Sequence, residues 1–316
     1  MNIRSVLPPD AIPSIDEPRF GHEYLGEGDE DVIVVESSPP RAYPVRILNF
    51  HEIVNDEVNG EPVAITWCPL CGSGVVYERQ LDGRVLTFGV SGKLADDDLV
   101  MYDRETGSEW KQSLGECIDG PLEGAVLEVR PASMITWDQF RDRYPAGIVL
   151  QPDYTDSEAA SDDDEPAPVD YSMEPYNAYF ESDGFGLASH RGEDGARTWD
   201  REDIEPKTVV LGISRGGEAI GFPQPQVEAS DGTVTATVGG ERVVVISVNG
   251  GIHAFEDPGF SLEVIDGEVQ GDGTRWDPVT GASVDDRRLK RIGGRRLFAF
   301  TWQDDHGPDA FFLTDE

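Results

Sequence analysis

The sequence is poor in cysteine and lysine and has no long apolar run. Three cysteines in 316 residues rule out a disulfide framework and point to a reducing interior or a metal site. The only lysines are Lys93, Lys111, Lys207 and Lys290, and 25 basic side chains stand against 62 acidic ones, for a formal charge of −37. Nucleic acid needs a basic footprint that is missing here, so it is excluded as a partner, and an anionic membrane surface is disfavoured for the same reason. No stretch approaches the roughly 18 apolar residues that span a bilayer. The opening MNIRSVLPPDAIPSIDEPRF lacks the apolar segment of a secretory signal. The expectation is a cytoplasmic protein without membrane insertion; its small-molecule or protein partner is not specified by these features.

Thirty-five glycines, 22 prolines and 38% apolar residues describe a chain with a real core, many turns and short strands. The fold class expected is mainly β, with two related barrel- or sandwich-like halves and a few short helices. The acids are spread along the chain rather than gathered on one face. Self-repulsion of this size loosens a compact state at low salt and is screened at about 1 M salt, where the Debye length is about 3 Å. The pattern reads as a halophilic solvent adaptation.

Residues 1–30 read as irregular. DVIVVE (31–36) and PVAITW (62–67) read as strands, and YPVRILNFHEIVND (43–56) as a short helix with Val45, Leu48 and Ile53 near helical spacing. Hairpins are expected around Asp82-Gly83 and Thr106-Gly107. TWDQFRDRYP (136–145) reads as a helix: Thr136 and Gln139 have capping-box spacing, Trp137, Phe140 and Tyr144 share a face, and Pro145 stops it. Residues 31–150 form the first β-rich half. The acidic 151–170, including the run Asp162–Glu165, reads as a solvated linker or loop insertion, and 171–316 forms a second, degenerate half.

The halves resemble each other. VNGEPVAITW (58–67) lies on VGGERVVVIS (238–247), and YDRETGSEW (102–110) on WDPVTGASV (276–284), with Asp103 four residues before Gly107 as Asp277 is before Gly281. Where the first has CPLCGSGVVYER, the second has SVNGGIHAFED. Both cysteines are missing there, so the pair belongs to a site of the first half and is not a requirement of the fold.

Cys68 and Cys71 allow three readings. The redox reading is weakened because no helix of adequate length follows the pair to lower a thiol pKa, as thioredoxin-type chemistry requires. Two thiolates on a tight turn can instead form half of a tetrahedral metal site, with Cys117 and His51 completing a Cys3His set for zinc, or for copper given the soft sulfurs. Third, free cysteines are often small core residues. No G-x-x-x-x-G-K and no H-E-x-x-H occurs.

RAYPVRILNFHEIVND, AITWCPLCGSGVVYER, LTFGVSGKLADDDLVMYDRETGSEWKQ and GECIDGPLEG together closely resemble the uncharacterised DUF3179 family, a haloarchaeal-type family. The resemblance is dense over about 31–150 and continues more thinly through PYNAYF (175–180) and the second half. It places the family pattern on His51, Glu52, Cys68, Pro69, Cys71, Gly72, Ser91, Gly92, Asp98, Tyr102, Asp103, Arg104, Trp110 and Gln112. It also implies that the position of Cys117 is often a small residue, which favours Cys68, Cys71 and His51 as the shared core. The family name supplies no reaction.

Ser91, Asp103, Arg104, Trp110 and Gln112 flank hairpin turns and are candidate pocket residues, with Asp103 an acid and Arg104 an anion clamp. The plainer reading has Asp103 capping its turn, Arg104 pairing with a surface carboxylate and Trp110 filling the core. The function expected is a thiolate-centred metal or redox site at the CPLC turn. The alternative is a non-catalytic binding or scaffold module braced by a zinc knuckle or by core cysteines.

Overall fold

The computed structural model describes residues 1–161, 165–193 and 197–313. The fold is mostly β, with six short α-helices among the described residues. No helix among them is long and apolar enough to cross a membrane. The chain forms two compact units, Met1–Asp200 and Arg201–Glu316.

In the first unit Asp31–Val35 and Arg41–Pro44 form an antiparallel pair. Ser133–Thr136 pairs with the former and Ile148–Leu150 lies parallel to the latter. Pro44 ends its strand in extended conformation and Val45–His51 follows as a helix that buries Ile47, Leu48, Phe50 and His51. The sequence reading carries helical spacing on to Ile53. The chain instead breaks at Glu52, in left-handed conformation with φ 55°, and Ile53–Val58 is a strand. Antiparallel pairing with Glu61–Cys68 and burial of Ile53, Val54 and Val58 override the weak helical spacing.

An antiparallel meander follows: Ile53–Val58, Glu61–Cys68 and Ser73–Glu78. The five-stranded antiparallel sheet Ile3–Ser5, Phe88–Ala95, Asp98–Asp103, Glu109–Lys111 and Glu116–Asp119 completes the scaffold. Ile33, Tyr43, Leu48, Phe50, Ile65 and Trp67 share one core with Val169 and Tyr171. The expected caps and turns are present. Thr136 Oγ accepts from the Gln139 amide at 3.3 Å, the Trp137 and Phe140 rings stack at 5.5 Å, and Asp82-Gly83 turns between the paired Gln80–Leu81 and Arg84–Val85.

Part of the acidic segment is docked while much of it is exposed. Ser157 Oγ donates to Phe50 O at 2.7 Å, and Ala159 and Ala160 pack on the core. Residues 162–164 of the expected acidic run lie outside the described residues. The helices Asn177–Glu181 and Gly186–Arg191 belong to this unit, whose boundary falls at Asp200.

The second unit also runs through a strand pair, a helix and a three-stranded meander. Val209–Arg215 and Glu218–Pro223 pair, a helix Gln224–Ala229 follows a strand-ending proline, and the meander Thr233–Val238, Glu241–Val248, Gly251–Glu256 comes next. Arg295–Phe298 pairs with Val209–Arg215 and leads into the helix Ala299–His306. Its cores gather Ile213, Phe222, Val243 and Val245 in one cluster and Ile246, Phe255 and Trp276 in another.

Candidate functional site

Cys68 is the last residue of its strand and faces Ser73 across the meander. The four residues Pro69-Leu70-Cys71-Gly72 connect them, held by Cys71 N–H to Cys68 O at 3.2 Å and Gly72 N–H to Pro69 O at 3.3 Å. Tyr179 donates its hydroxyl to Leu70 O at 2.6 Å and fixes the outside of the turn. Cys71 donates its S–H to Asp97 O at 3.4 Å. Both cysteines are buried and neither is in a disulfide.

The neighbouring hairpin supplies a third group. Ala95 and Asp98 close a two-residue turn, Asp96-Asp97, whose residues both have positive φ, the backbone that matches the strand twist. Asp98 is fully buried, and its Oδ2 accepts from the Ser113 amide at 2.8 Å. One ligand atom from each of Cys68, Cys71 and Asp98 lies within 4.8 Å of the others. Among the described residues this is the one such group of three or more metal-ligating side chains. On residues paired or hydrogen-bonded to this group or to Ser73, the buried Ser73 Oγ, Gln112 Oε1 and Ser113 Oγ have no hydrogen-bond partner among the described residues.

Glu52 joins the site from the helix end. Its backbone is pinned by N–H to Leu48 O and by Trp67 N–H to Glu52 O, both at 2.7 Å. Burial pushes its carboxyl up to about 8, with Glu158 and Asp98 adding to the rise. Burial also raises the Cys68 thiol. A hydrogen bond with Cys71 opposes that rise, and the charges of Asp98 and Glu52 add to it. Without a cation, desolvation and like charges hold protons on these groups.

A cavity of about 100 Å³ opens beside Cys68 and Glu52. Its walls include Ile12, Val90, Leu99 and Leu187, with Tyr176 and His190 on one side, their rings stacked at 4.9 Å. Val6 and Leu7 also line it, tied by their N–H groups to Gly92 O at 2.8 and 2.9 Å. Gly92 is required there: φ is 73°, and a Cβ would stand 2.2 Å from Leu7 O. Cys71 is not part of the lining.

The other expected residues are placed as follows. His51 is fully buried, with Nδ1 2.9 Å from Pro13 O and Nε2 2.8 Å from the Tyr171 hydroxyl. Its ring is held by these partners, and it stands outside the Cys68–Cys71–Asp98 group. Cys117 also stands outside it, with its S–H donating to Asp119 O at 3.4 Å. Ser91 Oγ donates to Val100 O at 2.6 Å and braces the irregular register between Val90 and Lys93. Asp103 accepts from the Thr106 amide at 2.6 Å and from Trp110 Nε1 at 2.9 Å, so it caps its turn and anchors the buried indole. Arg104 pairs with Asp16 and donates to Ser14 Oγ. Gln112 alone reaches the back of the cysteine turn: its Nε2 donates to Thr66 Oγ1 at 2.8 Å and to Ser73 O at 3.3 Å.

Sequence reasoning on spacing did not single out Asp98 or Glu52 as partners of the cysteines. The signal for Asp98 was a charged residue opening the apolar strand DLVMYD, and for Glu52 a charged residue between two buried segments.

A model of the family described as Protein of unknown function (DUF3179) matches residues 9–309. The chain belongs to the DUF3179 family. No curated protein and no solved structure matches it. In this DUF3179 protein the matched span contains Glu52, Cys68, Cys71, Asp98 and the cavity wall at His190, while Val6 and Leu7 of the lining precede it.

Proposed function

We propose that the first unit binds a zinc ion through Cys68, Cys71 and Asp98, with a fourth position left for water or a small ligand. One observation carries this reading: two sulfurs and a carboxylate oxygen from separate hairpins converge within 4.8 Å in a buried place. Tetrahedral zinc with Zn–S of about 2.3 Å asks for a sulfur separation of about 3.8 Å, which this convergence allows. The hard oxygen of Asp98 beside two soft sulfurs suits zinc better than Cu(I). Three protein ligands are the number found where zinc keeps an open position, whereas a structural knuckle is closed by four. The cavity at Cys68 favours the open form. In the metal-bound form the thiols are thiolates, so uptake releases protons and weakens as pH falls.

The test is anaerobic purification at high salt with metal analysis and thiol counting. One zinc per chain is expected, lost in Cys68→Ser/Cys71→Ser, weakened in Asp98→Asn and retained in Cys117→Ser and His51→Gln. A metal-free protein whose Cys68 and Cys71 stay inert to mild oxidant and alkylating agent would leave only a packing role. Reversible loss of two thiols on mild oxidation, without metal, would favour the redox reading instead. The −37 charge is read as an adaptation to concentrated salt, in which self-repulsion is screened.

A further inference from the structure

The zinc reading leaves one conspicuous group unused. Glu52 is only 8% exposed, lines the cavity, and its carboxylate makes no hydrogen bond or ion pair with any described residue. A carboxylate facing such a space favours a donor opposite it. The backbone cannot supply one, because both its N–H and its C=O are committed to Leu48 and Trp67. The side chain is therefore held facing a space whose other walls are mostly aliphatic, including Ile12, Val90, Leu99 and Leu187.

We propose that this cavity is a ligand chamber for a small aliphatic molecule with one hydrogen-bond-donating head, an alcohol or an alkylammonium, whose head docks on Glu52 and whose body reaches the Cys68 edge of the site. The inference rests on the reading given above in taking Cys68 as that edge. Size limits the occupant. At about 100 Å³ the chamber is smaller than the roughly 150 Å³ aliphatic cavity that admits benzene, so about four or five non-hydrogen atoms fit. Charge limits it too. An anionic head would meet Glu52 and Glu158 in the lining; of the two lining cations, Lys93 is already paired with Glu109 at 2.5 Å and Arg191 is the other. An aliphatic body matches the walls, which would otherwise stay wet or empty.

The experiment uses the full chain after chelation. Methyl methanethiosulfonate, small and neutral, modifies the thiols at pH 8, and peptide mass spectrometry assigns the rate to each cysteine. Cys68 should react faster than Cys71, which does not line the chamber. 1-Butanol and butylamine should slow Cys68 modification and butyrate should not. Glu52→Gln keeps an acceptor but loses the charge, so it should retain protection by the alcohol and weaken that by the amine about tenfold, which is about 1.4 kcal/mol. Leu187→Trp should fill the chamber and abolish both. Equal protection by butyrate, no protection by either donor, or full amine protection in Glu52→Gln would each overturn the proposal. If Leu187→Trp fails to fold, the Glu52→Gln arm decides alone. Zinc uptake measured on the same samples separates the two readings: zinc without protection sinks the chamber, and protection without zinc sinks the metal site.

Discussion

In the second unit Val248 and Gly251 close a two-residue turn, Asn249-Gly250, with both residues at positive φ. At the corresponding step of the first unit Cys68 and Ser73 close a four-residue turn containing Pro69 and Cys71. The meanders are alike in order, in antiparallel pairing and in the proline-ended strand and helix that precede them. A hairpin of this kind needs only the shorter turn. The longer one has to be explained by what it carries: a second sulfur placed against the Asp97 carbonyl. The helix ends differ in the same sense. The first unit has an acid at φ 55° at its C-cap, and the second has Ser230 at φ −93°.

The sharpest way to break this comparison is to give the first unit the second unit's turn. Replacing Pro69–Gly72 by Asn-Gly should preserve the meander and abolish zinc uptake. The loss should exceed the roughly 100-fold that removal of a supporting residue alone can cause. A graft that folds and still binds zinc stoichiometrically would disconnect the turn from the site.

The next test compares the turns that the two units share. Gly107 N–H bonds Asp103 O at 2.9 Å and Gly281 N–H bonds Asp277 O at 2.8 Å. Asp277 Oδ1 accepts the local amides of Val279 and Thr280 at 2.9 Å. Asp103 also holds the buried Trp110 indole. Asp103→Ala should therefore cost about 3 kcal/mol and Asp277→Ala about 1 kcal/mol, read from denaturant midpoints of the two transitions. Equal costs would show that the indole bond contributes nothing.

The third prediction concerns pH. Glu52 has a folded value of about 8 against an ordinary 4.5. The folded state keeps a proton that the unfolded chain releases, so its contribution is complete below about 4.5 and is lost as pH rises through about 8. The slope is at most ~1.4 kcal/mol per pH unit. Glu52→Gln should flatten that part of the profile, and Ser230→Ala in the second unit should leave it unchanged.

The last comparison is at the turn glycines. Gly107→Ala meets no atom within 4 Å and should cost only the left-handed penalty of about 1–2 kcal/mol. Gly281→Ala should cost more, because its Cβ would stand 2.7 Å from the Phe255 ring.

The local elements were legible because their signals are local. Thr136 and Gln139 marked a helix start, Asp82-Gly83 and Thr106-Gly107 marked turns, and each formed as read. The pairing of the two cysteines was legible from spacing alone. Asp98 was not, because it is one of three consecutive aspartates and only the hairpin's register decides which one turns inward: Asp96 and Asp97 form the turn, and Asp98 is buried. Helical spacing misled at Ile53 because a single left-handed residue, Glu52, resets the period. His51 and Cys117 have the right chemistry for ligands, but His51 is held by Tyr171, distant in sequence, and Cys117 by the local Asp119 carbonyl.

The ceiling over Cys68 is made by Val6 and Leu7, which continue from the three-residue strand Ile3–Ser5 at the edge of its sheet. Edge pairings this short are the first to exchange with solvent, while the strands beneath stay closed. Entry to the sulfur would then be governed by peeling of a strap at one margin, and amide exchange at Val6 and Leu7 would time how often that door stands ajar.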